Sequence, residues 1–228
     1  MSGTLRDGIG IVVSYLFVFG FIGVATLLMR KNVLAASATR KVIHIGVAHW
    51  WLIAMALMDD PWVASVGPLS FIIINALAIR RKLLPAMDQG ADARNWGTVY
   101  FPVSLLVLVN LCWRGVMPLW VGGLAILVLG WGDGLAALIG ENNGAKGARI
   151  WGGRKSAAGT IVMFAASFLV TLVFTLVFNR RFAALLPAVG VSAATAAAAT
   201  VVELLTPLGI DNITVPLLTA ALYAAVFA

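Results

Sequence analysis

The chain has 228 residues, of which 61% are apolar and 11% charged, and its mean hydropathy is +1.00. A soluble domain carries about 45–50% apolar and about 25% charged residues, so this composition excludes an ordinary water-soluble domain, and its apolar content excludes a disordered chain. Sixteen Lys and Arg against nine Asp and Glu leave a net charge of +7, which in a membrane protein reflects loops held in the cytoplasm rather than a nucleic-acid partner.

Apolar runs occupy residues 9–29, 42–58, 62–79, 97–113, 116–140, 158–178, 182–204 and 213–228. Several approach the ~20 residues that a bilayer core demands. They predict an all-α, polytopic integral membrane helical bundle of about eight transmembrane helices, forming a single transmembrane domain over residues 1–228. Membrane strands are not expected, because the runs are continuously apolar and do not alternate. The first run is predicted to be retained: it is long for a signal peptide, and the basic pair Arg30-Lys31 follows it rather than precedes it. The lone cysteine, Cys112, excludes an intramolecular disulfide and a cysteine-based metal cluster.

Basic residues divide by loop parity. The first loop holds Arg30, Lys31, Arg40 and Lys41, the third Arg80, Arg81, Lys82 and Arg94, and the fifth Lys146, Arg149, Arg154 and Lys155. Twelve of the sixteen thus fall in odd loops, which the positive-inside rule assigns to the cytoplasm. Both termini are then expected outside, in a cell inner membrane, with the chemistry on the cytoplasmic face. His44, Asn95, Asp133, Ser156, Glu203, Asp211 and Asn212 lie in odd loops or on the helix ends that meet them.

Arg40 and His44, separated by four residues, share a helix face at the start of the second run. His49 is five residues beyond His44, which excludes a paired-histidine metal site of the HExxH kind. A histidine in this position is commonly structural. Asn75, Asn110 and the eight tryptophans are expected to serve as interhelical hydrogen bonds and interface belts.

Residues 130–160, GWGDGLAALIGENNGAKGARIWGGRKSAAGT, carry the densest signal. Asp133 lies inside an apolar run, where a carboxylate costs about 2.5–3.5 kcal/mol at the bilayer centre and marks a functional position. Gly130, Gly132 and Gly134 allow close approach of either another helix backbone or a phosphate. Further on, Gly152-Gly153-Arg154-Lys155-Ser156 leads directly into a helix beginning near Ala157. Exposed N–H groups and the positive helix end suit a phosphate, Arg154 offers a bidentate grip and Lys155 a point charge. The stretch is not a Walker A loop, since Gly153 stands where the lysine is required. A plain topology-fixing basic cluster would account for Arg154 and Lys155 but not for the glycines and Ser156.

A third group lies in TVVELLTPLGIDNITVP, residues 200–216. Glu203, Asp211 and Asn212 supply hard oxygen ligands suited to Mg²⁺, which takes one or two carboxylates plus substrate phosphates. Capping of the last helix by Asp211 or Asn212 is the alternative. Glu203, near a helix C-terminus where the dipole disfavours an anion, has no such role. A basic face with buried acids suggests phosphoryl or nucleotidyl transfer from a nucleotide to a lipid embedded among apolar helices.

RKVIH, GDGLAALIGE, GGRKSAAGT, TVVE and DNITVP, in this order from Arg40 to Pro216, resemble the membrane lipid-alcohol kinases: phytol and farnesol kinases, dolichol kinase and the CTP-dependent diacylglycerol kinase. The TVVE and DNITVP ending is most similar to the phytol and farnesol branch. The resemblance implies a CTP-dependent kinase acting on phytol, a polyprenol or diacylglycerol, with Mg²⁺. It places Asp133, Arg154, Lys155, Ser156, Glu203, Asp211 and Asn212 around the active site, with Arg40, Lys41 and His44 in the opening motif. Ala157-Ala158 depart from the acidic or bulky residue that often stands there, which moves weight onto Asp133.

The expected division of labour follows. Asp133, Lys155 and Glu203 are the catalytic candidates. Arg40, Lys41, His44, Gly152, Gly153, Arg154, Ser156 and Asn212 are the nucleotide and phosphate candidates, and Asp133, Glu203 and Asp211 the metal candidates. Asp133 either takes the proton of the lipid hydroxyl or joins the metal set. The expected partners are the bilayer, the lipid alcohol and the nucleotide. A CTP:phosphatidate cytidylyltransferase and a small ion-coupled transporter are the competing assignments.

Overall fold

The computed structural model describes residues 3–81, 96–142, 148–150, 153–182, 184–207 and 209–227. Among them the fold is all-α apart from one short ribbon: α1 (Gly3–Arg30), α2 (Ala36–Ala48), α3 (Trp50–Leu57), α4 (Pro61–Arg80), α5 (Gly97–Trp113), α6 (Leu119–Asn142), β1 (Ala148–Ile150), β2 (Gly153–Lys155), α7 (Ala157–Phe178), α8 (Leu185–Leu205) and α9 (Asp211–Val226). Each apolar run of the sequence has become helix. By length and composition α1, α4, α6, α7 and α8 are able to cross a membrane, while α5 and α9 are shorter apolar helices.

The second run departs from expectation, because it forms two helices. His49 donates its N–H to the Gly46 carbonyl and accepts from Leu52 N–H, both three residues away, so the helix tightens there and divides into α2 and α3. The ribbon is the other departure. β1 and β2 pair antiparallel, with Arg149 opposite Arg154 and Ile150 opposite Gly153.

Local chemistry sets the helix starts. Asp60 caps α4 by accepting from the N–H groups of Trp62 and Val63, with Pro61 at the first helical position where its missing N–H costs nothing. Ser156 caps α7 by accepting from Gly159 N–H. At the same end of the bundle as Asp60, Arg6 pairs with Asp59 at 2.9 Å and Asp7 accepts the Asp59 N–H at 2.7 Å, fastening the start of α1 to the α3–α4 turn.

The centre of the bundle is α6, whose residues from Val121 to Leu129 are almost entirely buried. Glycines let its neighbours approach. A Cβ on Gly130 would sit 2.4 Å from Ala48 Cβ, one on Gly134 2.4 Å from Ile45 Cγ1, and one on Gly132 2.6 Å from Met163 Sδ. These glycines therefore serve helix packing, Gly130 and Gly134 toward α2 and Gly132 toward α7. Two of the tryptophans expected in interface belts are core instead: Trp50 and Trp51 are buried. Trp51 does make an interhelical hydrogen bond, donating to the Leu119 carbonyl.

The contrast between packed and open glycines is testable. Gly130→Ala is expected to lower the unfolding midpoint in detergent, at a cost of about 1–3 kcal/mol for overpacking, because Ala48 Cβ has no rotamer to yield. A Cβ on Gly20 would have nothing within 4 Å, so Gly20→Ala should leave the midpoint unchanged or raise it. Equal shifts for the two variants would contradict this packing.

Candidate active site

Three acids from helices far apart in sequence meet at one end of the bundle. Asp133 lies on α6, Glu203 in the last turn of α8 and Asp211 at the first position of α9. One carboxylate oxygen from each lies within 4.8 Å of the others, and all three residues are buried. Like charges this close, shielded from water, repel strongly unless cations stand beside them. Two do. Lys41 Nζ, from the first half of α2, is 3.3 Å from Asp133 Oδ2, and Lys155 Nζ, from the last residue of β2, makes an ion pair with Glu203 Oε1.

His44 stands one turn beyond Lys41. Its Nε2 is 4.0 Å from Asp133 Oδ2, beyond hydrogen-bond reach, and this buried atom has no hydrogen-bond partner among the described residues. The ring packs against Phe101 with centroids 4.8 Å apart. Asp211 is oriented by its neighbour: its Oδ1 accepts from the Asn212 backbone N–H at 2.9 Å and from Asn212 Nδ2 at 3.0 Å. Asn212 Nδ2 also reaches the Gly209 carbonyl at 3.1 Å. Gly209 has φ +82°, a left-handed conformation that glycine adopts without strain and that the turn from α8 into α9 requires. From the other side, a Cβ on Gly97 would lie 3.2 Å from Asn212 Nδ2, so the start of α5 closes directly over this turn.

These groups open into a cavity of about 780 Å³. It contains Arg40, Lys41, His44, Asp133, Lys155, Ser156, Glu203, Asp211 and Asn212 in its lining, so the sequence-derived candidates from four separate stretches share one chamber. Gly153 and Arg154 lie on β2. Gly152, like Asn95, is outside the described residues.

Several local details differ from the sequence-based expectation. The stretch before α7 is a paired ribbon rather than an open glycine loop, with Gly153 held opposite Ile150. The Ser156 hydroxyl is engaged as the α7 cap. Lys155 and Lys41, expected against phosphates, are paired with acids. Neither Asp211 nor Asn212 caps α9: Ile210 holds the cap position, and Asp211 is the first helical residue, where the helix dipole favours an anion.

The sequence-based reading missed Thr98 and Gly97 at the cavity wall. Asn75 joins them by donating to the Thr98 carbonyl at 2.8 Å, an interhelical bond of the expected kind that also ties α4 to the site. A polar residue near the end of an apolar run was the available signal.

Compared with curated proteins, the chain is 35% identical over 217 residues to the phytol kinase of Synechocystis sp., covering 95% of this chain and 90% of that protein. It is 29% identical to a protein of Glycine max described as "Probable phytol kinase 2, chloroplastic", covering 94% of this chain and 74% of that one. A protein of Zea mays described as "Probable phytol kinase, chloroplastic" is 28% identical, with 94% and 75% covered. No protein-family model matches the chain. No solved structure matches it.

The buried ion pairs give the site a stability signature. Lys155→Met leaves Glu203 as an unpaired buried charge, and removal of one partner of such a pair costs about 3–5 kcal/mol. The variant is expected to unfold at a lower temperature in detergent, and Lys155→Met/Glu203→Gln to recover part of the loss. Strictly additive losses would show that the two side chains do not interact.

Proposed function

The chain belongs to the phytol kinase family, and on that premise we propose that it transfers the γ-phosphoryl group of CTP to the hydroxyl of a membrane lipid alcohol. Phytol is the first acceptor to examine, with polyprenols and diacylglycerol as others that present the same group. The observation that carries the proposal is the chamber itself, in which three buried carboxylates and two lysines from separate elements converge. CTP rests on the motif resemblance. The basic lining supports a polyphosphate ligand of any base.

Asp133, Glu203 and Asp211 form an all-oxygen donor set, which fits Mg²⁺ and its preference for carboxylates completed by substrate phosphates. When bound there, the ion supplies neutralisation of phosphate charge. The chain's own groups do the rest. Lys41 and Lys155 exchange their carboxylate partners for phosphate oxygens as the nucleotide arrives, joined by Arg40 and Arg154. Asn212 keeps Asp211 aimed into the chamber, and Ser156 fixes the start of α7 behind Lys155. In the transfer, the lipid oxygen forms a bond to the γ-phosphorus, the bond from that phosphorus to the bridging oxygen breaks, CDP leaves and the hydroxyl proton is released. Asp133 is the acid placed to receive that proton or to complete the donor set.

The odd connections carry most of the basic residues, and the chamber is built at their helix ends. This supports an active site facing the cytoplasm, with both termini on the other side of an inner membrane.

The decisive measurement uses purified protein, phytol and CTP labelled in the γ-phosphate. Label in a lipid phosphate is the expected result, whereas release of label as pyrophosphate would indicate cytidylyl transfer. Chelation by EDTA should abolish turnover, and added Mg²⁺ should restore it. Asp133→Asn is expected to lose about 100-fold or more in turnover. Retained Mg²⁺ dependence at normal concentration in this variant marks a proton acceptor, a raised Mg²⁺ requirement marks a ligand, and near-wild-type turnover removes Asp133 from both roles.

A further inference from the structure

Beyond the acids the cavity continues on one side of the bundle only. The α6–α9 half lines it near the chamber, at Asp133 and positions closer to that end of the bundle, and deeper positions of α6 are packed solid, with Gly130 against Ala48. The α1–α5 half continues inward. Its upper wall is Ile22, Phe71 and Phe101, and its floor is reached at Tyr15, Trp50 and Gly67. From Asn75, level with the chamber, to Gly67 is eight residues of α4, or about 12 Å at 1.5 Å per residue. Among the described residues no charged side chain lines this arm below His44, so it is a largely apolar slot opening off a polar chamber.

The floor is defined by one pair. A Cβ on Gly67 would meet the Trp50 ring at 3.6 Å, an ordinary contact, so a methyl group is accommodated and anything larger projects into the space. Tyr15 is fixed beside it, with its hydroxyl 2.8 Å from Ser70 Oγ and its ring stacked on Phe71. The slot is thus walled by side chains that are already locked. A whole cavity of this volume matches pockets that bury an entire ligand rather than a headgroup alone.

We propose that this arm holds the hydrocarbon tail of the acceptor alcohol, and that Gly67, facing Trp50, sets the length of tail the enzyme accepts. The proposal rests on the kinase assignment above. It makes Gly67 a specificity-determining position remote from the reacting atoms. The alcohol enters hydroxyl uppermost, its tail displaces no polar ligand, and its chain length is measured against the Trp50 ring.

The test is turnover of geraniol, farnesol and phytol by wild type, Gly67→Ala and Gly67→Leu under one set of nucleotide conditions. Gly67→Leu is expected to shift the kcat/KM ratio of geraniol to phytol by roughly tenfold or more, since a few methylenes of lost room discriminate at that level. Gly67→Ala should shift it less and in the same direction. A uniform fall across all three alcohols, or an unchanged profile, overturns the length limit while leaving the kinase assignment intact. Failure of wild type to phosphorylate any of them overturns the assignment itself. A phytol analogue with a photoreactive diazirine at the tail terminus gives an independent readout on wild-type protein: crosslinks to α4 near Gly67 or to α3 at Trp50 are expected, and labelling confined to the chamber residues or to the outer faces of α7 and α8 overturns the proposal.

Discussion

Three carboxylates held within 4.8 Å of one another inside an apolar bundle impose a demand that the rest of the molecule meets. Without adjacent positive charge the mutual repulsion of these groups would be uncompensated. Among the described residues Lys41 and Lys155 supply it, and each is delivered by a specific piece of architecture. Lys41 reaches Asp133 because Gly130 and Gly134 let α2 lie almost backbone to backbone on α6. Lys155 reaches Glu203 because the ribbon ends at that residue and Ser156 starts α7 immediately after it. On the proposed nucleotide reading, the charges that stand beside the acids at rest are the ones a polyphosphate requires, and binding exchanges one set of ion pairs for another.

The two halves of the bundle divide their duties accordingly. The α6–α9 half supplies all three acids and Lys155, and its core is tightly filled, down to the buried Thr175–Tyr223 hydrogen bond and the Asn179 side chain beside it. The α1–α5 half supplies Arg40, Lys41 and His44 at the rim and an apolar recess beneath. At the end of the bundle remote from the acids, Arg6 and Asp7 secure α1 to the turn at Asp59, which keeps the wall of that recess in place.

Much of this was legible from residue order alone. Continuous apolar runs become helices because no other structure satisfies the backbone of such runs within a bilayer, and the starts of α4 and α7 are announced by Asp60-Pro61 and Ser156. Glu203 could be singled out because its placement near a helix C-terminus has no local justification. The division of the second run at His49 was not legible, since no Pro marks it and Gly46, whose carbonyl accepts from His49 N–H in the tightened turn, lies inside α2 rather than at the break. The ribbon carried a weak hairpin signal, Gly152-Gly153 amid short stretches that each hold a basic residue, but it competed with an equally good phosphate-loop pattern. Pairings such as Lys41 with Asp133 span 92 positions and depend on how α2 lies across α6. The glycines of GWGDG fitted a ligand or a helix neighbour equally well until Ala48 and Ile45 were seen to occupy that space.

The deep recess is bounded by α1 to α5 while the acids belong to α6, α8 and α9, so the proposed tail site and the reacting groups are held by different parts of the bundle. Gly67 and Trp50 belong to elements that carry none of the three acids. Under the proposed tail assignment, a change of acceptor is a matter for the first half of the chain and a change of chemistry for the second.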